Sequence, residues 1–276
     1  MTKPVQRRRL ERVEVGRSRQ PRHDSLVTEE PLEVRVEGRS FSVTMRTPGD
    51  DFDLVAGFLV SEGVVRSADG LAAMRYCAGA VDGDGGNTYN VIDASVTGPG
   101  ALVAHARDRH VFTSSSCGLC GLASIEAVET ASSFDVGADP VAVSADVLAG
   151  LPDALRAEQR WFDDTGGLHA AGLFDTAGAP LVVREDVGRH NAVDKVVGWA
   201  LREDRLPLAG SVLQVSGRAS FELVQKAGMA GIPVLAAVSA PSSLAVDLAD
   251  RIGLTLVGFS RGGRFNVYTR GDRVAT

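Results

Sequence analysis

Cysteine is scarce in this chain, with three among 276 residues, too few for a disulfide framework. Lysine is equally rare: Lys3, Lys195 and Lys226 are the only ones. Arginine therefore carries nearly all the positive charge, and a phosphate site in this protein is expected to be built from arginine forks. Long apolar runs are missing, and none approaches the roughly 18 residues that would suggest a membrane span. The opening residues, with Arg7, Arg8 and Arg9, lack the apolar stretch of a signal peptide. A net charge of −6 gives the whole molecule no nucleic-acid signature. Together these absences predict a cytoplasmic protein that binds neither membrane nor nucleic acid. In a reducing compartment, a close cysteine pair is more often catalytic or metal-binding than structural.

The composition is that of an ordinary globular protein, 44% hydrophobic and 23% charged, and long enough for one large domain or two modest ones. Residues 1–24 crowd seven arginines with few apolar anchors and read as a disordered, solvated tail; the competing reading is a docking arm for an acidic partner. Residues 25–110 read as a small α+β unit. Leu32, Val34 and Val36, then Phe41, Val43 and Met45, alternate around a turn at Gly38, which predicts a hairpin. Thr47 or Asp50 is placed to cap a helix that ends at Gly63. Weaker strands are expected at 74–81, 88–96 and 101–106, with a turn at 82–86. Residues 111–276 form the larger unit, with a helix after Cys120, another over 144–155, and then repeating strand and helix patterns to the C-terminus. Apolar strands alternating with helices predict a largely parallel sheet covered by helices, an α/β architecture.

The densest chemistry lies in Ser114-Ser115-Ser116-Cys117-Gly118-Leu119-Cys120-Gly121. Two cysteines, two residues apart, precede an apolar helical pattern, and a helix N-terminus lowers a thiol pKa. Such a pair serves metal binding, disulfide exchange or sulfur relay. A structural zinc site needs four ligands, and here there is one pair with Cys77 standing alone. A zinc deaminase also needs a His-x-Glu, which none of His105, His110, His169 and His190 supplies. Cys-Gly-Leu-Cys differs by one residue from a thioredoxin-type motif, but it lies deep in a longer chain. A relay would hold sulfur as a persulfide and pass it on by thiol exchange.

Two further segments are rich in polar residues. They are Thr165–His169 and Arg184–Lys195, and in the second Arg189 and His190 fall in the first turn of an expected helix, where anions bind. Asp186, Asp194 and Lys195 read equally well as a cap and ordinary helix charges. Ser216-Gly217-Arg218 and Phe259-Ser260-Arg261-Gly262-Gly263-Arg264 follow strands, at the ends where open α/β sheets bind ligands. The second reads equally well as a hairpin turn with surface arginines.

Arg46-Thr47-Pro48-Gly49-Asp50-Asp51, Ser116–Gly121, Thr165–His169 and above all Glu185–Lys195 resemble the formate dehydrogenase accessory sulfurtransferase family (FdhD). The resemblance spans roughly residues 29–270. It implies a cytidine-deaminase-like larger domain beside the smaller α+β unit, and a cytoplasmic homodimer. It further implies a protein that takes persulfide sulfur from a cysteine desulfurase. The sulfur would go to the molybdenum (or tungsten) bis-guanine-dinucleotide cofactor, bound as a substrate, for formate dehydrogenase. By position, Cys117 matches the persulfide carrier and Cys120 its partner. Phe259, Ser260, Arg261, Gly262, Gly263 and Arg264 match the cofactor-binding loop. No residue is expected to hold a metal ion.

Overall fold

A computed structural model describes residues 2–77, 87–98 and 132–276. The arginine-rich stretch expected as a disordered tail is a β-hairpin. β1 (Val5–Glu14) pairs antiparallel with β2 (Ser18–Val27) over ten positions, turning through Gly16 at φ 76°. Composition favours disorder where little apolar surface is buried, and most of this hairpin is exposed. Cross-strand pairing supports it instead. Arg8 lies opposite Asp24, and Arg19 pairs with Glu11 at 3.1 Å. Its foot is tied by Thr28, whose amide donates to the Pro4 carbonyl and whose hydroxyl donates to that of Lys3.

The expected hairpin follows as β3 (Glu30–Val36) and β4 (Arg39–Arg46). Glu37 and Gly38 join them, both with positive φ, the backbone that suits a two-residue hairpin link. Helix α1 (Asp51–Ser61) comes next, then β5 (Leu71–Tyr76) and β6 (Val91–Val96), giving a four-stranded sheet ordered β4-β3-β6-β5. Asp50 occupies the N-cap position of α1, but neither its side chain nor that of Thr47 caps the helix. The Thr47 hydroxyl accepts from the Val187 amide instead. The strand expected at 101–106, the turn at 82–86 and the helix after Cys120 lie outside the described residues.

The second part opens with β7 (Val143–Ser144) and α2 (Ala145–Ala157), whose N-cap Ser144 accepts from the Val147 amide. Then come α3 (Phe162–Thr165), β8 (His169–Phe174), β9 (Pro180–Asp186), α4 (Arg189–Arg202), β10 (Val212–Val215) and α5 (Phe221–Met229). The chain ends with β11 (Val234–Ala237), α6 (Ser243–Ile252), β12 (Thr255–Arg261), β13 (Arg264–Val267) and the short β14 (Val274–Ala275). Six strands form one sheet in the order β13-β12-β11-β10-β8-β9.

Within this sheet only the β10–β11 and β11–β12 pairs are parallel, so the expectation of a largely parallel sheet is corrected. The links explain the difference. Residues 175–179 and the pair Gly262-Gly263 are too short for the crossover that parallel strands need, so β8–β9 and β12–β13 are antiparallel hairpins.

The sheet is covered on both faces. Val212, Val234, Ala236 and Val257 meet Leu148, Leu151 and Leu155 of α2 on one side. Leu213, Val215, Leu235 and Leu256 join the apolar residues of α4, α5 and α6 on the other. That second core is continuous with the small sheet through α1. Helices α1 and α4 cross in backbone contact: a Cβ at Gly57 would lie 1.8 Å from the Asp194 carbonyl oxygen, and one at Gly198 would lie 1.8 Å from that of Asp53. The boundary expected near residue 110 lies outside the described residues. The two parts it would divide share one core.

Candidate functional site

Strand direction brings five loops to one edge of the six-stranded sheet. The parallel strands β10, β11 and β12 deliver their carboxyl ends there, leading into residues 216–220, 238–242 and 259–264. β8 runs against β10, with Ala171 opposite Val215, so the start of β8 reaches the same edge. β9 runs against β8, with Asp186 opposite His169, so the end of β9 and the first turn of α4 arrive there too. The loops interlock through their backbones. Ser216 donates to the Ala170 carbonyl, Ser239 to that of Gly217, and Phe259 to that of Ser239. Both polar segments singled out in the sequence, and both strand-end loops, therefore meet at one place.

The run Glu185–Lys195 divides into two jobs. One part is structural. Asp186, fully buried, receives the amides of Thr47 (3.1 Å) and Gly188 (2.8 Å) and the side-chain amide of Asn191 (3.0 Å), and pairs with buried Lys195 at 2.8 Å. Asp194 pairs with buried Lys226 through both oxygens at 2.8 Å and accepts from the Ser61 hydroxyl. These residues lock α4 to α1 and to the 45–51 segment. Glu185 accepts from three successive amides, those of Arg160, Trp161 and Phe162, and so fixes the start of α3.

The other part faces the loop edge. Arg189 opens α4, and its buried Nε has no hydrogen-bond partner among the described residues. His169 lies beside it. A Cβ at Gly217 would stand 3.4 Å from His169 Nδ1 and 3.8 Å from Arg189 Cδ, filling the space between them. Burial, and then the charge of Arg189, hold the His169 imidazole below its usual range, against the pull of Asp186. His190 Nε2 lies 3.2 Å from Ser220 Oγ and 3.5 Å from a Glu222 carboxylate oxygen. Burial would push the Glu222 carboxyl up, but hydrogen bonds from His190, from its own amide and from Ser220 outweigh it and hold the group down to about 2. A buried, unsatisfied guanidinium nitrogen beside a neutral imidazole at a helix start suits an anion, and a phosphate oxygen would satisfy both.

Of the loop residues expected to bind a cofactor, Gly262 and Gly263 form the two-residue link of the β12–β13 hairpin, with φ of 60° and 73°. Arg261 and Arg264 flank them, paired in register and exposed. The reading of this loop as a hairpin turn with surface arginines is thus correct as geometry. Phe259 has φ 54°, a left-handed conformation unusual for a bulky residue, and its ring is 37% exposed at the strand end. Ser260 differs from its neighbours. It is fully buried and donates to the Leu148 carbonyl, tying the loop to α2. Cys117 and Cys120 lie outside the described residues. Among the described residues there is no group of three or more His, Cys, Asp and Glu arranged to hold a metal, and no helix is long and apolar enough to cross a membrane.

The sequence profile of the FdhD/NarQ family matches residues 27–275. The chain belongs to this family. Among curated relatives, a protein of Streptomyces coelicolor named sulfur carrier protein FdhD is 59% identical over 277 aligned residues, covering 100% of this chain and 97% of the relative. One of Mycobacterium tuberculosis with the same name is 58% identical, covering 92% of each chain. A crystal structure from Desulfotalea psychrophila, described as a proposed formate dehydrogenase accessory protein, superposes with a TM-score of 0.75. It is 24% identical and covers 98% of this chain and 99% of that one, which shows that the fold is shared. Within the FdhD/NarQ frame, the edge cluster holds His169, Arg189 and His190, whose roles the sequence leaves open, and adds Glu222 beside His190. Glu222 carried no sequence signal at all, since its tie to His190 exists only once α5 packs beside α4.

Proposed function

We propose that this protein is a sulfur carrier that serves the maturation of formate dehydrogenase. Cys117 accepts sulfur from a cysteine desulfurase. Its thiolate attacks the terminal sulfur of the donor's persulfide, the donor cysteine leaves as a thiolate, and a new S–S bond at Cys117 replaces the one broken. No net oxidation occurs in that step. Attack of the Cys120 thiolate on Cys117 Sγ then expels the outer sulfur as hydrosulfide toward the acceptor and closes a Cys117–Cys120 disulfide. A cellular thiol must reduce that disulfide before the next turn.

The acceptor in this reading is the molybdenum or tungsten bis-guanine-dinucleotide cofactor, bound as substrate at the loop edge. The observation that carries the binding half is the set of arginines that the edge loops carry without a carboxylate partner among the described residues: Arg189, Arg218, Arg261 and Arg264. Guanidinium forks take phosphate oxygens in pairs. Gly217 leaves room for close backbone approach, and the Phe259 ring offers a face for a base. The full-length relatives named as sulfur carriers support the other half.

The test loads the protein with labelled sulfur from a desulfurase and cysteine. The parent protein gains one sulfane sulfur mapped to Cys117, and Cys117→Ala gains none. Cys120→Ala loads but does not release. Equal labelling of Cys117→Ala and the parent overturns the assignment.

A further inference from the structure

The hairpin β1–β2 has no part in the fold's core or in the loop edge, yet it is built in detail. It lies ahead of the family's shared segment, which begins at residue 27. Residues 2–28 carry eight Lys and Arg against three Asp and Glu, a net +5, while the remainder of the chain carries 21 against 32, a net −11. The tip also exposes apolar side chains. Val15 is 97% exposed and Val13 56%, with Arg12, Arg17 and Arg19 around them. An apolar centre inside a rim of arginines has the anatomy of a protein-binding patch. The foot of the hairpin stands beside the functional edge, with the tip at the far end of the two ten-residue strands. β2 packs on α3, and Val27 lies against Gly167, two residues before His169.

We propose that the β1–β2 hairpin is a docking arm for a protein partner presenting an acidic face around an apolar recess. A partner gripped at the tip and extending back along the hairpin meets the loop edge at its foot; only this last clause rests on the sulfur-carrier reading. A nucleic acid fits the arm less well. Its charge density is high and uniform, whereas Glu11, Glu14 and Asp24 interrupt the arginines and the body of the protein is strongly acidic. A backbone of phosphates also has nothing to offer Val13 and Val15. A protein face satisfies both features, with charge steering the approach and the valines holding the docked state.

The test measures binding of the full chain to three probes: a random copolymer of glutamate and tyrosine, polyglutamate, and a single-stranded oligodeoxynucleotide of similar charge. The variants are Arg12→Gln/Arg17→Gln/Arg19→Gln and, separately, Val15→Ser. All these side chains are exposed, so both variants keep the parent's melting temperature. The glutamate–tyrosine copolymer binds about tenfold tighter than either other probe, a difference of roughly 1.4 kcal/mol. The triple arginine variant loses that binding, and Val15→Ser loses the preference over polyglutamate. Tighter binding of the oligonucleotide, equal binding by the variants, or salt-sensitive self-association that the arginine variant abolishes would each overturn the proposal. No sulfur chemistry enters the measurement, so a failed Cys117 assignment and a failed docking arm give separate results.

Discussion

Two clusters of cations, each with a member on α4, are treated in opposite ways. On the α1-facing side four cations each have a counter-charge. Lys195 pairs with Asp186, Lys226 with Asp194, Arg46 with Asp51 and Arg184 with Asp53. At the loop edge, Arg189 keeps a buried nitrogen unsatisfied, and Arg218, Arg261 and Arg264 reach solvent. Both of the chain's helical lysines serve the first cluster, and the second is built from arginine. The split follows the chemistry: a point charge suits a single buried carboxylate, and a planar fork suits a visiting phosphate. One cluster holds the fold, and the other is left unsatisfied within it.

The difference predicts opposite responses to mutation. Asp194→Ala strands the Lys226 ammonium in the core, and breaking a buried pair costs about 3–5 kcal/mol. The variant is expected to be largely unfolded by circular dichroism at 37 °C. Asp194→Leu/Lys226→Met removes both charges and recovers most of the loss. A double variant as unstable as the single one would show that the pair does more than neutralise itself.

Arg189→Gln should do the reverse. Thermal stability stays within about 0.5 kcal/mol of the parent, because the lost nitrogen had no partner to strand. Guanosine diphosphate, a fragment of the proposed substrate, binds tenfold or more weaker, since a hydrogen bond to a charged group is worth roughly 1.5–3 kcal/mol. Calorimetric titration distinguishes the two effects. A fall in melting temperature with unchanged affinity would move Arg189 into the structural cluster.

The split also explains what the sequence could reveal. Helices α2 and α6 follow their apolar spacing closely, because each buries one stripe against one sheet face, whereas α5 is buried almost all round. The run Glu185–Lys195 stands out as polar, but its division does not. The groups that claim Asp186, Asn191 and Asp194 are Thr47, Met45 and Ser61, more than 130 residues away along the chain. The edge itself was foreseen at the ends of β10 and β12. That β8 and β9 also bring His169 and Arg189 there depends on strand direction, which is set by a five-residue link rather than by strand composition. The β1–β2 hairpin is not legible in the sequence because hydrophobic patterning reports burial, and it buries little.

Phe259 sharpens the contrast at one residue. Its left-handed backbone is costly for a bulky side chain, and nothing in the core requires the ring there. Phe259→Gly should relieve the strain and raise stability by up to about 1 kcal/mol in urea unfolding. The same change should weaken guanosine diphosphate binding several-fold through loss of the aromatic face. Weakened binding with lowered stability would mean that the ring packs as core and its conformation is not spent on a ligand.

The smallest expected effect concerns protons. Burial and the charge of Arg189 depress the His169 imidazole in the free protein, so it is neutral at neutral pH. A phosphate bound beside it favours the charged form and raises its pKa, so binding takes up a proton. Affinity for guanosine diphosphate should therefore climb as pH falls through the bound-state pKa and level off below the free-state value. The climb for one linked proton is at most tenfold per pH unit. The folding contribution carries the opposite sign. A depressed histidine supports the folded state at high pH and withdraws that support as pH falls from its unfolded value toward its folded one, so tighter binding coincides with slightly lower stability of the free protein. His169→Gln keeps a hydrogen-bonding side chain but cannot titrate, and it should flatten both profiles while leaving binding intact at the alkaline end. A slope that persists in His169→Gln would assign the proton to the nucleotide's own phosphate and remove His169 from the anion site.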